Sequence, residues 1–270
     1  MKLNKKLKFI SRLLPKIIRP YNCNSISTLF KNEINRNKIY KKMNGYFYYH
    51  LPFSIIKHRV YFSKQFRGFG EDAFHSMWYL LLSEFKPKNC LEIGVYRGQI
   101  ISLWSLISKH LDYKIEVSAL APFESASDRD SKYLENIDYY NDTKKNHDYF
   151  DLNQPEYCIE YSTTENAKLF LQSKKWDLIF IDGSHDYEVV ESDFDISFKN
   201  LSDDGFIVLD DSSLYFDFQQ KKFGGFTGHS GPSKVAKDIA MKKMKFFGAV
   251  GHNNIFCKKD SKNFNKKLKF

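Results

Sequence analysis

The chain predicts an α/β protein, an open and mostly parallel sheet of seven strands with helices on both faces. Three observations carry this expectation. Short apolar runs rich in branched and aromatic residues alternate with helical patterns from residue 90 onward, the order of a wound parallel sheet. One run, Leu178-Ile179-Phe180-Ile181, is apolar throughout, as a strand covered on both faces must be. It is stopped by Asp182-Gly183-Ser184-His185, so an acid and a histidine fall beyond a strand's carboxyl end, where ligands of such sheets sit.

Residues 1–20 are basic, with Leu3, Leu7, Ile10, Leu14 and Ile17 at helical spacing. Arg12, Pro15 and Lys16 break the apolar stretch, so neither a secretory core nor a membrane span is expected. A basic amphipathic helix touching an anionic membrane surface fits, and so does one packed on its own domain. Residues 21–70 are rich in Asn, Lys, Tyr and Phe with weak periodicity, which predicts irregular or short helical structure. The division expected is an N-terminal basic and aromatic extension over 1–67, one domain over 68–258 and a basic tail over 259–270. Gly68-Phe69-Gly70 opens a helix with Phe74, Met77, Trp78, Leu81 and Leu82 on one face, and Lys86-Pro87 closes it.

Strands are expected near 90–95, 115–120, 157–161, 177–182 and 206–210. A final pair, 245–250 and 253–258, is joined through Gly251-His252-Asn253. The helices between them cover 98–110, 164–173, 186–200 and 232–242. Residues 123–150 are polar and aromatic and take no assignment; they read as an insertion near the substrate. The hexapeptide N-K-K-L-K-F occurs at 4–9 and again at 265–270, too short for a structural repeat.

A formal charge of +10 raises the question of nucleic acid. The basic residues are mostly scattered Lys mixed with 32 acidic residues, Arg is scarce, and no nucleic-acid motif is present. No nucleic-acid partner is expected. Cys23, Cys90, Cys158 and Cys257 lie far apart without C-x-x-C spacing, which argues against a zinc site and for a reducing, cytoplasmic setting.

Three motifs carry chemistry. Glu92-Ile93-Gly94-Val95-Tyr96-Arg97-Gly98 spans a strand end and a helix start, with glycines for the tight turn and for close approach of backbone. Its spacing is not that of dinucleotide binders. It resembles the first motif of class I S-adenosylmethionine (SAM) methyltransferases, whose loop cradles the methionine end of the cofactor. The second motif is Asp182-Gly183-Ser184-His185, followed by Asp186 and Glu188. Ser184, Asp186 and Glu188 suit the first turn of the next helix, whereas a carboxylate ending an apolar strand requires a partner. The third is Gly205-Phe206-Ile207-Val208-Leu209-Asp210-Asp211, a buried strand with two acids at its end. Asp182, Asp210 and Asp211 on neighbouring strand tips would repel one another unless a cation lay between them, and oxygen ligands suit Mg²⁺.

Together W-D-L-I-F-I-D-G-S-H-D-Y-E and G-F-I-V-L-D-D resemble the metal-dependent sugar O-methyltransferases of the macrocin O-methyltransferase type, over roughly residues 68–258. The resemblance implies a Rossmann-like class I methyltransferase fold, SAM held by the loop at 92–98, and Mg²⁺ held by Asp182, Asp210 and Asp211. It implies His185 as the base and a hydroxyl of a sugar, glycan or glycosylated small molecule as the acceptor. Asp182 and His185 thus form the expected reaction centre; Glu92, Gly94, Val95, Arg97, Gly98, Ser162 and Asp182 are the expected cofactor contacts.

The family's second strand ends in an acid that holds the ribose, but here Ala121 stands in its place. Glu124 could substitute from the loop, and Tyr161-Ser162-Thr163 is placed to meet the adenine. Other histidines lack the context of His185, except His229 in Gly228-His229-Ser230-Gly231-Pro232-Ser233, a loop able to act as a lid or simply to cap a helix. Tyr215, Phe216, Phe218, Phe223 and Phe226 could stack on a sugar ring. A metal-free methyltransferase on another acceptor and a non-catalytic cofactor-fold scaffold are the competing readings, and self-association stays open.

Overall fold

The structure, a computed structural model, describes residues 36–124, 134, 136–213 and 228–266. The amphipathic segment at 1–20, Cys23, the first hexapeptide, most of the second, and the aromatic run at 215–226 lie outside the described residues. In chain order the elements are α1 (Arg36–Tyr49), α2 (Phe53–Phe62), α3 (Asp72–Phe85), β1 (Asn89–Ile93), α4 (Gln99–His110), β2 (Glu116–Leu120), α5 (Tyr139–Tyr149) and β3 (Glu156–Cys158). There follow α6 (Glu165–Gln172), β4 (Trp176–Ile181), α7 (Tyr187–Asn200), β5 (Leu201–Leu209), α8 (Ser230–Lys234), β6 (Lys245–Val250) and β7 (Asn253–Cys257). A π-helical turn, Val235–Ala240, and a short helix, Met241–Lys243, continue α8.

The sheet has seven strands in the order β3-β2-β1-β4-β5-β7-β6. The first five pair parallel, and β7 runs antiparallel to both β5 and β6. The fold is therefore Rossmann-like, mostly parallel, with one antiparallel hairpin at its edge. Strand order reverses between β1 and β4, which opens a crevice beyond their carboxyl ends.

Side-chain alternation divides the strands between two hydrophobic layers. Leu178, Phe180, Phe206 and Val208 face one layer with α1 to α4, where the Trp78 ring meets Phe180 and Trp104 edge-on, each at 5.1 Å. Ile179, Ile181, Ile207 and Leu209 face the other, with Val190, Phe194 and Val235. Each central strand thus buries both faces, which is why 178–181 tolerates no polar residue.

The structure refines several expectations. The third strand is shorter and earlier than expected, Glu156–Cys158, and the fifth begins at Leu201, with a register shift against β4 between Trp176 and Leu178. Residues 139–149, left without assignment, form α5; a polar helix whose Asp138 side chain accepts from Asn141 N gives little apolar period to read. Residues 36–62 are two helices, and Ile39, Met43, Phe47, Leu51 and Ile55 share the same core layer as Trp78 and Trp104. Cys90 and Cys257 are buried in the core. Among the described residues no helix is long and apolar enough to cross a membrane.

Candidate active site

Gly94 follows β1 and Asp182 follows β4, so both enter the crevice where strand order reverses. Gly94 adopts φ +93°, and a Cβ there would lie 2.2 Å from the Asp182 carbonyl oxygen and 2.3 Å from Gly183 Cα. Only glycine allows the two turns to meet. Gly94 and Gly183 in turn line two cavities that share this wall.

The larger cavity, about 430 Å³, is lined by Glu92, Asp182, His185, Asp210, Asp211 and His252 among others, with the Phe69, Phe74 and Trp78 rings. The smaller, about 230 Å³, is lined by Val95, Ala121, Phe123, Glu124, Tyr161 and Ser162. Glu124 Oε1 accepts a hydrogen bond from Tyr161 Oη at 2.7 Å on its rim. Ser162 Oγ donates to Asp193 Oδ2 at 3.0 Å. Burial pushes that aspartate up to about 7, against the stabilising Ser162 bond.

The acids at the strand tips lie in an unusual electrostatic setting. Glu92 is buried, its Oε2 has no hydrogen-bond partner among the described residues, and burial with a contribution from Asp210 pushes it up to about 8, the Ile101 backbone opposing. Asp182 is held well above the usual carboxylate range by burial first, then by Asp210, Asp211 and Glu92. It also contacts Asp210 side chain to side chain. Asp211 goes the other way: burial opposes ionisation, but bonds from His185 and His252 hold its carboxyl well below the ordinary value.

His185 Nε2 is 3.0 Å from Asp211 Oδ2, and the His229 ring lies tilted by 33° against that of His185, with centroids 4.0 Å apart. His229 Nε2 lies 3.8 Å from the same oxygen. Backbone contacts fix this arrangement. Asp211 takes φ +47°, its carbonyl accepts from His229 N at 2.6 Å, and a Cβ at Gly231 would lie 2.1 Å from the His185 carbonyl oxygen.

His252 was not among the expected site residues. Its Nδ1 donates to Asp210 Oδ1 at 2.8 Å and Asp211 Oδ1 at 3.0 Å. Burial would lower its pKa, but the two carboxylates prevail and raise it to about 10. The signal was the hairpin itself: with β7 beside β5 in the register Leu209↔Asn254, the turn at 251–252 falls next to residues 210–211.

Of the expected residues, Glu92, Gly94, Asp182, His185, Asp210 and Asp211 come together in the larger cavity, and Val95 and Ser162 line the smaller. Arg97 and Gly98 line neither. Arg97 pairs with Asp142 at 2.6 Å and donates to the Gln65 and Phe66 carbonyls, which holds the segment leading to Gly68 and Phe69. Gly98, at φ +76°, gives room to Thr143 of α5, whose Cγ2 would be 2.6 Å from a Cβ. Ser184 does take a helix-entry role, accepting from Asp186 N at 3.1 Å, whereas the Asp186 side chain makes no cap bond.

Residues 91–212 match the protein-family model described as a methyltransferase domain. The fold is similar to that of a candidate caffeoyl-CoA O-methyltransferase from Staphylococcus aureus, at TM-score 0.56 and 16% identity, covering 83% of this chain and 98% of that one. It is also similar to the O-methyltransferase TomG of Streptomyces achromogenes, involved in tomaymycin synthesis and solved with SAM. There the TM-score is 0.50 with 11% identity, covering 83% of this chain and 96% of that one. No curated protein matches the chain. Sheet order, domain match and the glycine turn beside the crevice are those of a methyltransferase domain, matched over residues 91–212.

Proposed function

We propose that the protein is an O-methyltransferase that moves the SAM methyl group to a hydroxyl of a sugar or glycosylated small molecule, with His185 as base and a divalent cation at Asp210 and Asp211. The observation that carries this is the junction of two cavities at Gly94 and Gly183, with His185, Asp182 and the Asp210–Asp211 pair on one side only. SAM would place its adenosine in the smaller cavity, against Val95, Ala121, Phe123 and the Tyr161–Ser162 turn. Glu124, three residues beyond Ala121, stands in for the missing ribose acid. Its sulfonium would face the larger cavity, where the acceptor enters.

An alcohol is barely ionised at neutral pH, so the deprotonation is the step the protein must help. Asp211 accepts from His185 Nε2–H, which leaves the lone pair on Nδ1 and favours the imidazolium that forms on proton transfer. Backbone bonds at Asp211 and His229 hold this pair in place, so little reorganisation is required at the moment of reaction.

The resemblance implies Mg²⁺ as the cation, with Asp182 as its third acid. The residues suit a dication, because Asp210 and Asp211 each turn a carboxylate oxygen toward one point, 2.8 and 3.0 Å from His252 Nδ1. A bound dication would supply Lewis-acid polarisation of the acceptor oxygen.

The test is calorimetry with SAM, followed by transfer of labelled methyl to a panel of glycosides and nucleotide sugars with and without EDTA. Saturable SAM binding and EDTA-sensitive transfer to a sugar hydroxyl are expected. No SAM binding would leave a scaffold role, and EDTA-resistant transfer to nitrogen would replace the present reading.

A further inference from the structure

The histidine on the edge hairpin allows a more specific statement about the cation. His252 Nδ1, Asp210 Oδ1 and Asp211 Oδ1 belong to a group of donor atoms within 4.8 Å of one another. Nδ1 is 2.8 Å from one oxygen and 3.0 Å from the other. Metal–ligand bonds of about 2.1 Å at right angles place neighbouring donors about 3 Å apart, so Nδ1 already stands from each oxygen at the spacing of adjacent coordination vertices. When Nδ1 carries a proton it faces both carboxylates, and ligation of a cation there releases that proton to solvent.

The set is fixed from behind. Asp210 N donates to Ile181 O at 3.0 Å, Ser212 N donates to His252 O at 3.0 Å, and Asn254 Nδ2 donates to Ser212 O at 3.0 Å. The Phe74 ring meets the His252 ring at 4.9 Å and 88°. Ligating groups held this way keep their orientation when the ion arrives. Asp182, by contrast, belongs to no such donor group among the described residues, although it contacts Asp210.

We propose that His252, Asp210 and Asp211 form a mixed imidazole–carboxylate centre for a first-row transition-metal dication such as Mn²⁺, Co²⁺ or Zn²⁺, with His252 rather than Asp182 as the third ligand. The proposal rests on the reading that a cation binds at Asp210–Asp211, and it differs from an all-oxygen Mg²⁺ site in ligand and in ion. Imidazole nitrogen favours the borderline metals, whereas Mg²⁺ prefers oxygen alone and retains water.

The test is calorimetric titration of the full chain with Co²⁺ and, separately, Mg²⁺, for wild type, His252→Asn and Asp182→Asn, with thermal melting to check that each variant folds. Co²⁺ is expected to bind wild type at least about tenfold more tightly than Mg²⁺. His252→Asn should erase that preference and Asp182→Asn should retain it. Equal affinities in wild type, no metal binding at all, or a preference that survives in His252→Asn and vanishes in Asp182→Asn would overturn the proposal.

Should His252→Asn fail to fold, electron spin echo spectroscopy of Mn²⁺ on wild type decides instead: nitrogen coupling is expected, and its absence overturns the assignment. SAM titration is read separately. Metal binding without SAM binding would sink the transferase reading and leave this one standing.

Discussion

The two ends of β4 hold one aspartate each, and they meet opposite fates. Asp177, near the start of the strand, accepts from Lys88 N at 2.9 Å and Asn89 N at 3.1 Å on one oxygen, and from Ser202 Oγ at 2.9 Å on the other. Asp182, just past the other end, is buried among Asp210, Asp211 and Glu92 and is driven toward its neutral form. One carboxylate is saturated with neutral donors and staples β1 and β5 to β4. The other sits among like charges that destabilise its ionised form. Hydrogen-bond accounting thus separates a structural acid from a site acid, though both flank the same apolar run.

The strongest way to break this comparison is at the site end. His185→Ala should lower kcat by about 10²–10⁴-fold, the usual worth of a positioned base, with the melting temperature unchanged. A wild-type rate would remove His185 as base. The exchange of one oxygen for nitrogen at each end sharpens the contrast. Asp177→Asn should lower stability by about 1–2 kcal/mol in urea unfolding while leaving transfer intact, because it strips a satisfied acceptor from backbone donors. Asp182→Asn should leave stability level or raised, since the amide is neutral at a place where burial and like charges already oppose ionisation, while transfer falls; a large stability loss there would contradict the charge argument.

The acids and His252 also set a pH dependence. His252, ordinarily near 6.5, is raised to about 10, so its stabilising contribution is complete below pH 6.5 and is lost as pH rises through 10. Glu92, raised to about 8 from 4.5, and Asp193, raised to about 7 from 3.8, also bind protons more tightly in the folded chain. Their contributions likewise fall as pH climbs through those ranges. Metal-free protein should therefore melt at steadily lower temperature from pH 6.5 to 10, and His252→Asn should flatten the upper part of that slope. The smallest effect is expected at Glu124→Gln, about a tenfold weaker SAM affinity in calorimetry, from one weakened hydrogen bond at an exposed rim.

Most of the sheet was legible because its strands are buried on both faces, and continuous apolar runs such as 178–181 and 206–209 leave no other period to read. Gly94 was legible for a similar reason, since a strand-to-helix turn of this kind announces itself by glycine. Helix α5 was not, because Tyr139–Tyr149 is a polar helix held by an N-cap and by Asn146 and Asp142 around Arg97, contacts far apart in sequence. The resemblance implied Arg97 and Gly98 as cofactor contacts; what the sequence did not reveal is that Arg97 also holds the Gln65–Phe66 segment and that Gly98 gives room to Thr143. His252 was missed because its meaning depends on β7 pairing beside β5, a fact of topology that no local pattern carries. The acids of β4 and β5 were found from their own motifs, while their histidine partner waited on a strand more than forty residues away.

That pairing has a consequence for assembly of the chain. Until Asn253–Cys257 slots in antiparallel, the outer margin of β5 presents unsatisfied backbone groups to whatever strand arrives first. The parallel half can form during synthesis, but closure must await the last hairpin, a long-range contact of the slow kind. Expression at low temperature or with a holdase should therefore raise soluble yield more for hairpin variants than for substitutions elsewhere in the sheet.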